Sequence, residues 1–266
     1  MEYLKFLLMG VAGGTLSGFL GIGGGILMVP LLIYFTDVGI KAATAISMMQ
    51  IVFASFFGTI FSYFQKTIIF KYSTYFGLSS LLFSFLGSYL TRYIPNLAIK
   101  IIYLSAAIIS FILFFFRSKL EKHNTLLSKN KFYLIIPVGA IAGFAAGLLG
   151  IGGGFMFVPA LIFFFNLPIK IAIGTSLGAI LINSIPGLIG KMISVKFDVL
   201  TGILVGIGSI AGARIGTYLH KRINPKITRI IFTLLLIIII IRVIVDISFE
   251  LFKKLYTSCL FIFLVI

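Results

Sequence analysis

Residues 20–30 read LGIGGGILMVP and residues 149–159 read LGIGGGFMFVP. The two stretches lie 129 positions apart and differ only at Ile26/Phe155, Leu27/Met156 and Met28/Phe157. Glycine is the poorest helix former after proline, so three in succession inside an apolar segment weaken a helix wherever they fall. Two such runs at corresponding places predict two helix breaks that serve a purpose.

The surrounding chain says in what medium those helices stand. Of 266 residues, 60% are hydrophobic and 11% charged, with a mean hydropathy of +1.20, outside the range of soluble domains. The stretches 72–90, 97–116, 199–219 and 227–241 have about the 17–25 apolar residues that cross a bilayer, or little less. They are apolar on every side rather than alternating, which excludes a transmembrane β-barrel. The expected fold class is therefore an all-α polytopic membrane protein with helices broken at the GIGGG motifs.

Sliding the chain by 129 positions aligns more than glycines: Val29-Pro30 falls on Val158-Pro159, Ser47 on Ser176, and Gly87-Ser88-Tyr89-Leu90 on Gly216-Thr217-Tyr218-Leu219. The chain is a duplicated unit, a construction common among secondary transporters. Apolar segments at about 4–35, 42–64, 72–91, 97–116, 132–165, 169–190, 199–219 and 225–245 predict about eight transmembrane segments in two homologous four-segment halves. Residues 1–116 are the first repeat, 117–131 a basic cytoplasmic linker, 132–246 the second repeat and 247–266 an apolar C-terminal tail. The N-terminal apolar run continues into the first glycine motif and is expected to be a retained helix rather than a cleaved signal.

Segments 4–35 and 132–165 are too long for one straight crossing, at about 48 Å or more against a bilayer core of about 30 Å. Each must tilt strongly, break or fold back. Eight single crossings put 13 Lys and Arg on the side of the termini and 8 on the other, which places both termini in the cytoplasm. Re-entrant hairpins would invert the halves and give 12 against 9, and this alternative stays open.

The net charge of +16 sits between the apolar runs, where it fixes topology and meets lipid headgroups, so nucleic acid is not an expected partner. Cys259 is the single cysteine, and His123 and His220 stand apart, so neither a metal site nor a catalytic triad has residues to build from. No enzyme activity and no cofactor is expected. Broken membrane helices leave backbone N–H groups that survive only against protein or a water-filled cavity, and with the positive end of a half-helix they form an anion site. The candidate substrate-binding residues are Gly21, Gly23, Gly24 and Gly25 with Ser47, then Gly150, Gly152, Gly153 and Gly154 with Thr175, Ser176 and Asn183. Arg214 joins them as the basic residue clearly inside an apolar segment, a natural partner for an anion unless it reaches the headgroups beside Lys221. Gly14-x-x-x-Gly18 and Gly143-x-x-x-Gly147 are expected to bring helix backbones close.

The paired set resembles the TauE/SafE family of sulfite-exporter-like permeases: glycines at 14, 18, 21 and 23–25 before Val29-Pro30, the same at 143, 147, 150 and 152–154 before Val158-Pro159, then Gly174-Thr175-Ser176 and Gly212-Ala213-Arg214-Ile215-Gly216. The likeness covers about 5–245. It implies two related halves and transport of small anions, chiefly sulfur oxoanions such as sulfite and organosulfonates. The chain departs from the pattern with Ala45-Ile46-Ser47 in the first half and with Lys191, where relatives often carry histidine. The expected function is a plasma-membrane secondary transporter or facilitator of such anions, with the lipid bilayer and a small anion as partners, and a coupling ion and a second copy of the chain left open. An anion channel and a non-transporting membrane assembly factor are the alternatives.

Overall fold

Backbone conformation at the two glycine runs sets the architecture. In the computed structural model, which describes residues 2–118 and 133–265 and the side chains of 3–112 and 133–248, α1 (Glu2–Leu20) stops where Gly21 turns to φ +66°. Gly23 and Gly24 follow at +82° and +77°, and α2 (Gly25–Phe35) begins. The second half repeats this: α6 (Ile135–Leu149) stops at Gly150, φ +66°, and α7 (Gly154–Phe165) begins after Gly152 and Gly153 at +78° and +73°. These angles strain any residue with a Cβ, so the glycines make a tight turn possible.

The remaining helices are α3 (Ile40–Phe64), α4 (Phe70–Leu90), α5 (Asn96–Ser118), α8 (Ile169–Ser194), α9 (Val199–Arg222) and α10 (Pro225–Val265). Eight apolar segments thus become ten helices among the described residues, because each long first segment is two helices. The stretches Tyr3–Leu20, Ile40–Phe64, Ile169–Ser194, Val199–Arg222 and Pro225–Ser248 are long and apolar enough to cross a membrane. Residues 247–265, expected as a separate tail, continue the α10 helix without a break. The linker lies outside the described residues from 119 onwards.

Contacts fix the direction of each helix. Within the first half α1 and α2 are antiparallel, since Gly24 meets Gly13 at the turn and Lys5 Nζ donates to the Phe35 carbonyl at the far ends. Between halves α3 and α8 are antiparallel, with Gly58 against Leu177 and Gly187 against Met48. The helix α9 runs parallel to α1 (Gly14 to Ser209, Gly18 to Ala213) and to α3 (Gly202 to Met49, Gly206 to Phe53). In the same way α4 runs parallel to α6 (Gly143 to Ser80, Gly147 to Ser84) and to α8 (Gly77 to Ile182, Gly187 to Ser84). Thus α1, α3 and α9 point one way and their counterparts α6, α8 and α4 the other.

The halves are inverted, and the helices α2, α3, α4 and α5 begin 129 positions before α7, α8, α9 and α10. One end of the bundle holds Lys5, Phe35 and Lys41, whose Nζ donates to the Arg92 carbonyl at 2.9 Å. The other end holds Gln65, bonded to the Thr217 carbonyl at 3.1 Å, and Lys170, bonded to the Lys221 carbonyl at 3.0 Å. We refer to these as the first and second ends. The start of α6 lies at the second end and that of α1 at the first. The cause is the hairpin: a segment that folds back returns to the face it left.

Close packing joins the halves. A Cβ on Gly14 would stand 2.2 Å from the Ser209 carbonyl oxygen, and one on Gly143 would stand 2.4 Å from that of Ser80, so these pairs do bring backbones together. Leu20, Ile22, Ile26, Ile51, Ile151, Phe155 and Ile180 are buried around the turns. Pro30 lies inside α2 and cannot donate to the carbonyl one turn back; that carbonyl, on Ile26, accepts instead from the buried Tyr103 hydroxyl of α5 at 3.3 Å. Outside the apolar segments Asp198 caps α9, accepting from the Leu200 and Thr201 amides at 3.1 Å, and the bond from the Thr201 hydroxyl foremost holds its carboxyl below the usual range.

Candidate anion site and path

The two glycine turns meet at the centre of the bundle. A Cβ on Gly25 would be 2.5 Å from the Gly150 oxygen, and a Cβ on Gly154 would be 2.3 Å from the Gly21 oxygen, so each turn seats its neighbour's backbone. Two serines brace the contact. Ser47 Oγ donates to the Gly150 carbonyl at 2.7 Å and Ser176 Oγ to the Gly21 carbonyl at 2.8 Å, one bond made twice, each from one half to the other. Both hydroxyl protons are committed to backbone, so these residues shape the turns.

Neither α2 nor α7 has a side-chain cap, since Gly24 and Gly153 occupy the N-cap positions. The Leu27 and Met156 amides bond back to the Gly24 and Gly153 carbonyls at 3.2 and 2.9 Å, the two amides before each have no carbonyl to meet within their own helices, and the positive ends of both half-helices point into the same buried place. Beside it lies Gln50, fully buried, whose amide nitrogen stands 3.0 Å from where a Cβ on Gly24 would be. Neither its amide nitrogen nor its amide oxygen has a hydrogen-bond partner among the described residues. Asn183 is likewise buried with both amide atoms unpartnered, one turn beyond Ile180, which touches Gly152 and Gly154. Unpaired amides in an apolar interior are costly, about 1–3 kcal/mol each, and mark a place where a polar guest would be welcome.

The structure brings together the eight motif glycines, Ser47 and Ser176, and sets Asn183 close by. It leaves two expected residues outside. Thr175 Oγ1 accepts from the Ile69 amide at 3.1 Å, pinning the α3–α4 connection at the second end. Arg214 is exposed on α9, in a surface depression of about 700 Å³ shared with Gln65, Thr217 and Lys221, and does not reach the turns.

A cavity of about 670 Å³ opens at the first end between α2, α5 and α10. Its walls carry Lys100, Arg242 and Asp246; Arg242 lies over the Tyr34 ring at 4.0 Å, and the Tyr34 hydroxyl donates to the Asp246 carboxylate at 2.7 Å. Its floor reaches Thr44 and Leu149, next to the second glycine turn. Behind that floor lies the residue that sequence reading undervalued. Lys191 is fully buried, and its Nζ donates to Thr44 Oγ1 at 2.9 Å, Thr91 Oγ1 at 2.8 Å and the Leu148 carbonyl at 2.9 Å. It stands in the last turn of α8. The signal that could have found it is the lack of any acid from 38 to 120 and from 122 to 197.

The family model described as sulfite exporter TauE/SafE matches residues 6–243. The chain is 24% identical to the probable membrane transporter protein YunE of Bacillus subtilis, over 84% of this chain and 90% of the relative. It is 30% identical to the probable membrane transporter protein YjnA of the same organism, over 83% and 91%, and 30% identical to a probable membrane transporter protein of Xylella fastidiosa, over 83% and 87%. No solved structure matches. With a match that runs from α1 into α10 through both glycine turns, the chain belongs to the TauE/SafE family of membrane transporters.

Proposed function

We propose that the protein carries small anions, sulfur oxoanions such as sulfite or organosulfonates foremost, across the cell membrane as a secondary transporter or facilitator. The observation that carries this reading is the convergence of two uncapped helix N-termini, from inverted halves, on one buried place that also holds the unpartnered Gln50 amide. Such a place offers N–H donors and positive dipole ends to an anion in a medium of low dielectric. The turns press on each other directly, which suits an occluded state; rocking of one half against the other would open the contact to each end in turn. In this reading each half crosses the membrane three times and adds a re-entrant hairpin, rather than crossing four times. The second end, with 12 Lys and Arg against 9, then faces the cytoplasm together with the linker.

The test is flux into proteoliposomes of the purified protein with sulfite, sulfate, thiosulfate and taurine. Saturable uptake of at least one is expected. Absence of flux with all four would overturn the reading, and uptake that rises linearly with concentration would replace the transporter by a channel.

A further inference from the structure

We propose that Lys191, with Thr44 and Thr91, forms an anion-binding subsite beneath the floor of the first-end cavity, where a small oxoanion is held before it reaches the glycine turns. The proposal rests on the anion-transport reading above and adds to it a site that the glycine motifs do not contain.

Three observations converge. The first is an uncompensated charge. Lys191 Nζ directs its protons to two hydroxyls and a carbonyl, all neutral, from α3, α4 and α6. None of α3, α4, α6 or α8 contains an Asp or Glu. The nearest acid along the chain, Asp198, is exposed and occupied in capping α9. A buried ammonium without a counter-charge is expensive to keep, whereas an apolar residue of the same shape would pack there without that cost. The second is access. Thr44 both lines the cavity and accepts from Lys191, so a single side chain separates the ammonium from the cavity. Rotation of the Thr44 hydroxyl off the Lys41 carbonyl, to which it donates at 2.7 Å, turns its proton towards the cavity floor while its oxygen keeps accepting from Lys191. The third is the surrounding field. Lys41 stands at the same end with its Nζ on the Arg92 carbonyl, and Lys100 and Arg242 line the walls, against one acid, Asp246, that is bonded to Tyr34. This field draws a small anion inward. The chemistry selects a compact oxoanion, which accepts from the turned Thr44 hydroxyl and, in place of one of its neutral partners, from the ammonium, while Thr91 stays bonded to backbone and orients Lys191.

Binding is measured apart from flux, as the rise in melting temperature of the detergent-purified full-length protein with sulfite, sulfate or thiosulfate at constant ionic strength. The wild type is expected to be stabilised saturably by at least one of them. Lys191→Met is expected to melt no lower than wild type without anion and to lose the anion-dependent rise. Thr44→Val, which keeps the charge, is expected to weaken half-saturation about tenfold, the loss of one charge-assisted bond. An unchanged anion response in Lys191→Met, or no response to any of the three anions in wild type, would overturn the proposal. Should Lys191→Met fail to fold, the Thr44→Val titration decides: unchanged half-saturation overturns the subsite. Saturable binding without flux in proteoliposomes would leave the subsite standing and remove the transport reading, so the two failures are distinct.

Discussion

Gly25 and Gly154 test the contact between the two turns. Neither residue has a positive φ, so alanine is compatible with the backbone at both, and any penalty comes from the space it occupies. The added Cβ would meet the Gly150 oxygen at 2.5 Å from Gly25 and the Gly21 oxygen at 2.3 Å from Gly154, where ordinary contact begins at 3.4 Å. Those obstacles are backbone, held by Ser47 and Ser176, so about 1 Å must come from separating the turns. Overpacking of this kind costs about 1–3 kcal/mol, against a gain of up to about 1 kcal/mol from replacing glycine in a helix. Each substitution should therefore destabilise by about 1–2 kcal/mol net. Gly58→Ala is the control, because its Cβ meets only the tip of the Leu177 side chain at 3.2 Å. It should fall within about 0.5 kcal/mol of wild type or above it. The two main substitutions push the same surfaces apart, so the first relieves the second, and the double variant should cost less than their sum by about 0.5 kcal/mol or more. Thermal unfolding in mild detergent, followed by circular dichroism, reads all four proteins. If Gly25→Ala and Gly154→Ala melt with Gly58→Ala, the turns do not press on each other and the occluded centre is wrong.

The serine braces predict a second symmetry: Ser47→Ala and Ser176→Ala should each lower stability by about 0.6–1.7 kcal/mol, the range for hydrogen bonds within membrane proteins, and by similar amounts. A loss confined to one of them, seen in the same melting assay, would show the pair to be unequal. Arg214→Gln should leave the half-saturation constant for flux unchanged, because the exposed guanidinium does not reach the turns; a tenfold rise would return Arg214 to the site. On a Cys259→Ser background, Asp37→Cys at the first end and Lys226→Cys at the second should react with an impermeant thiol reagent from opposite faces of the membrane. Reaction of both from one face would refute the inverted halves.

Much of this was legible in the sequence because it depends on local chemistry. Three glycines in a row cannot continue a helix cheaply, and their recurrence after 129 positions announced a duplicated unit. The membrane class followed from apolar runs with almost no acids. Direction was harder to read. Segments 4–35 and 132–165 are visibly too long, but tilt, break and hairpin have the same hydropathy, and it takes the contacts of Gly24 with Gly13 and of Lys5 with Phe35 to show that the first chain segment turns back. Serine hydroxyls in a helix were read as donors to a ligand, since sequence carries no sign that Ser47 and Ser176 face a carbonyl in the other half. The sequence likewise carries no sign that Lys191 is buried and Arg214 exposed. Whether a long cationic side chain turns outward or inward depends on the neighbouring helices, which are remote in sequence.

The inverted halves are alike where they touch and unlike at their mouths. The turns and the serine braces repeat, so opening towards either end disturbs the same contacts, and this part of the molecule favours neither direction. The charged positions break the equivalence. The counterpart of Lys191 under the 129-residue shift is Ser62, and the counterpart of Thr91, which receives the Lys191 bond, is His220. At the first end a lysine is buried behind the cavity; at the second end His220 is buried, with its Nε2 3.2 Å from the Lys170 carbonyl and its Nδ1 unpartnered among the described residues. In the proposed transport reading, mouths built with different bases would hold an anion unequally. The duplication therefore accounts for how the centre closes, and the later divergence of a few polar residues at each mouth is where any preference for one side of the membrane must be encoded.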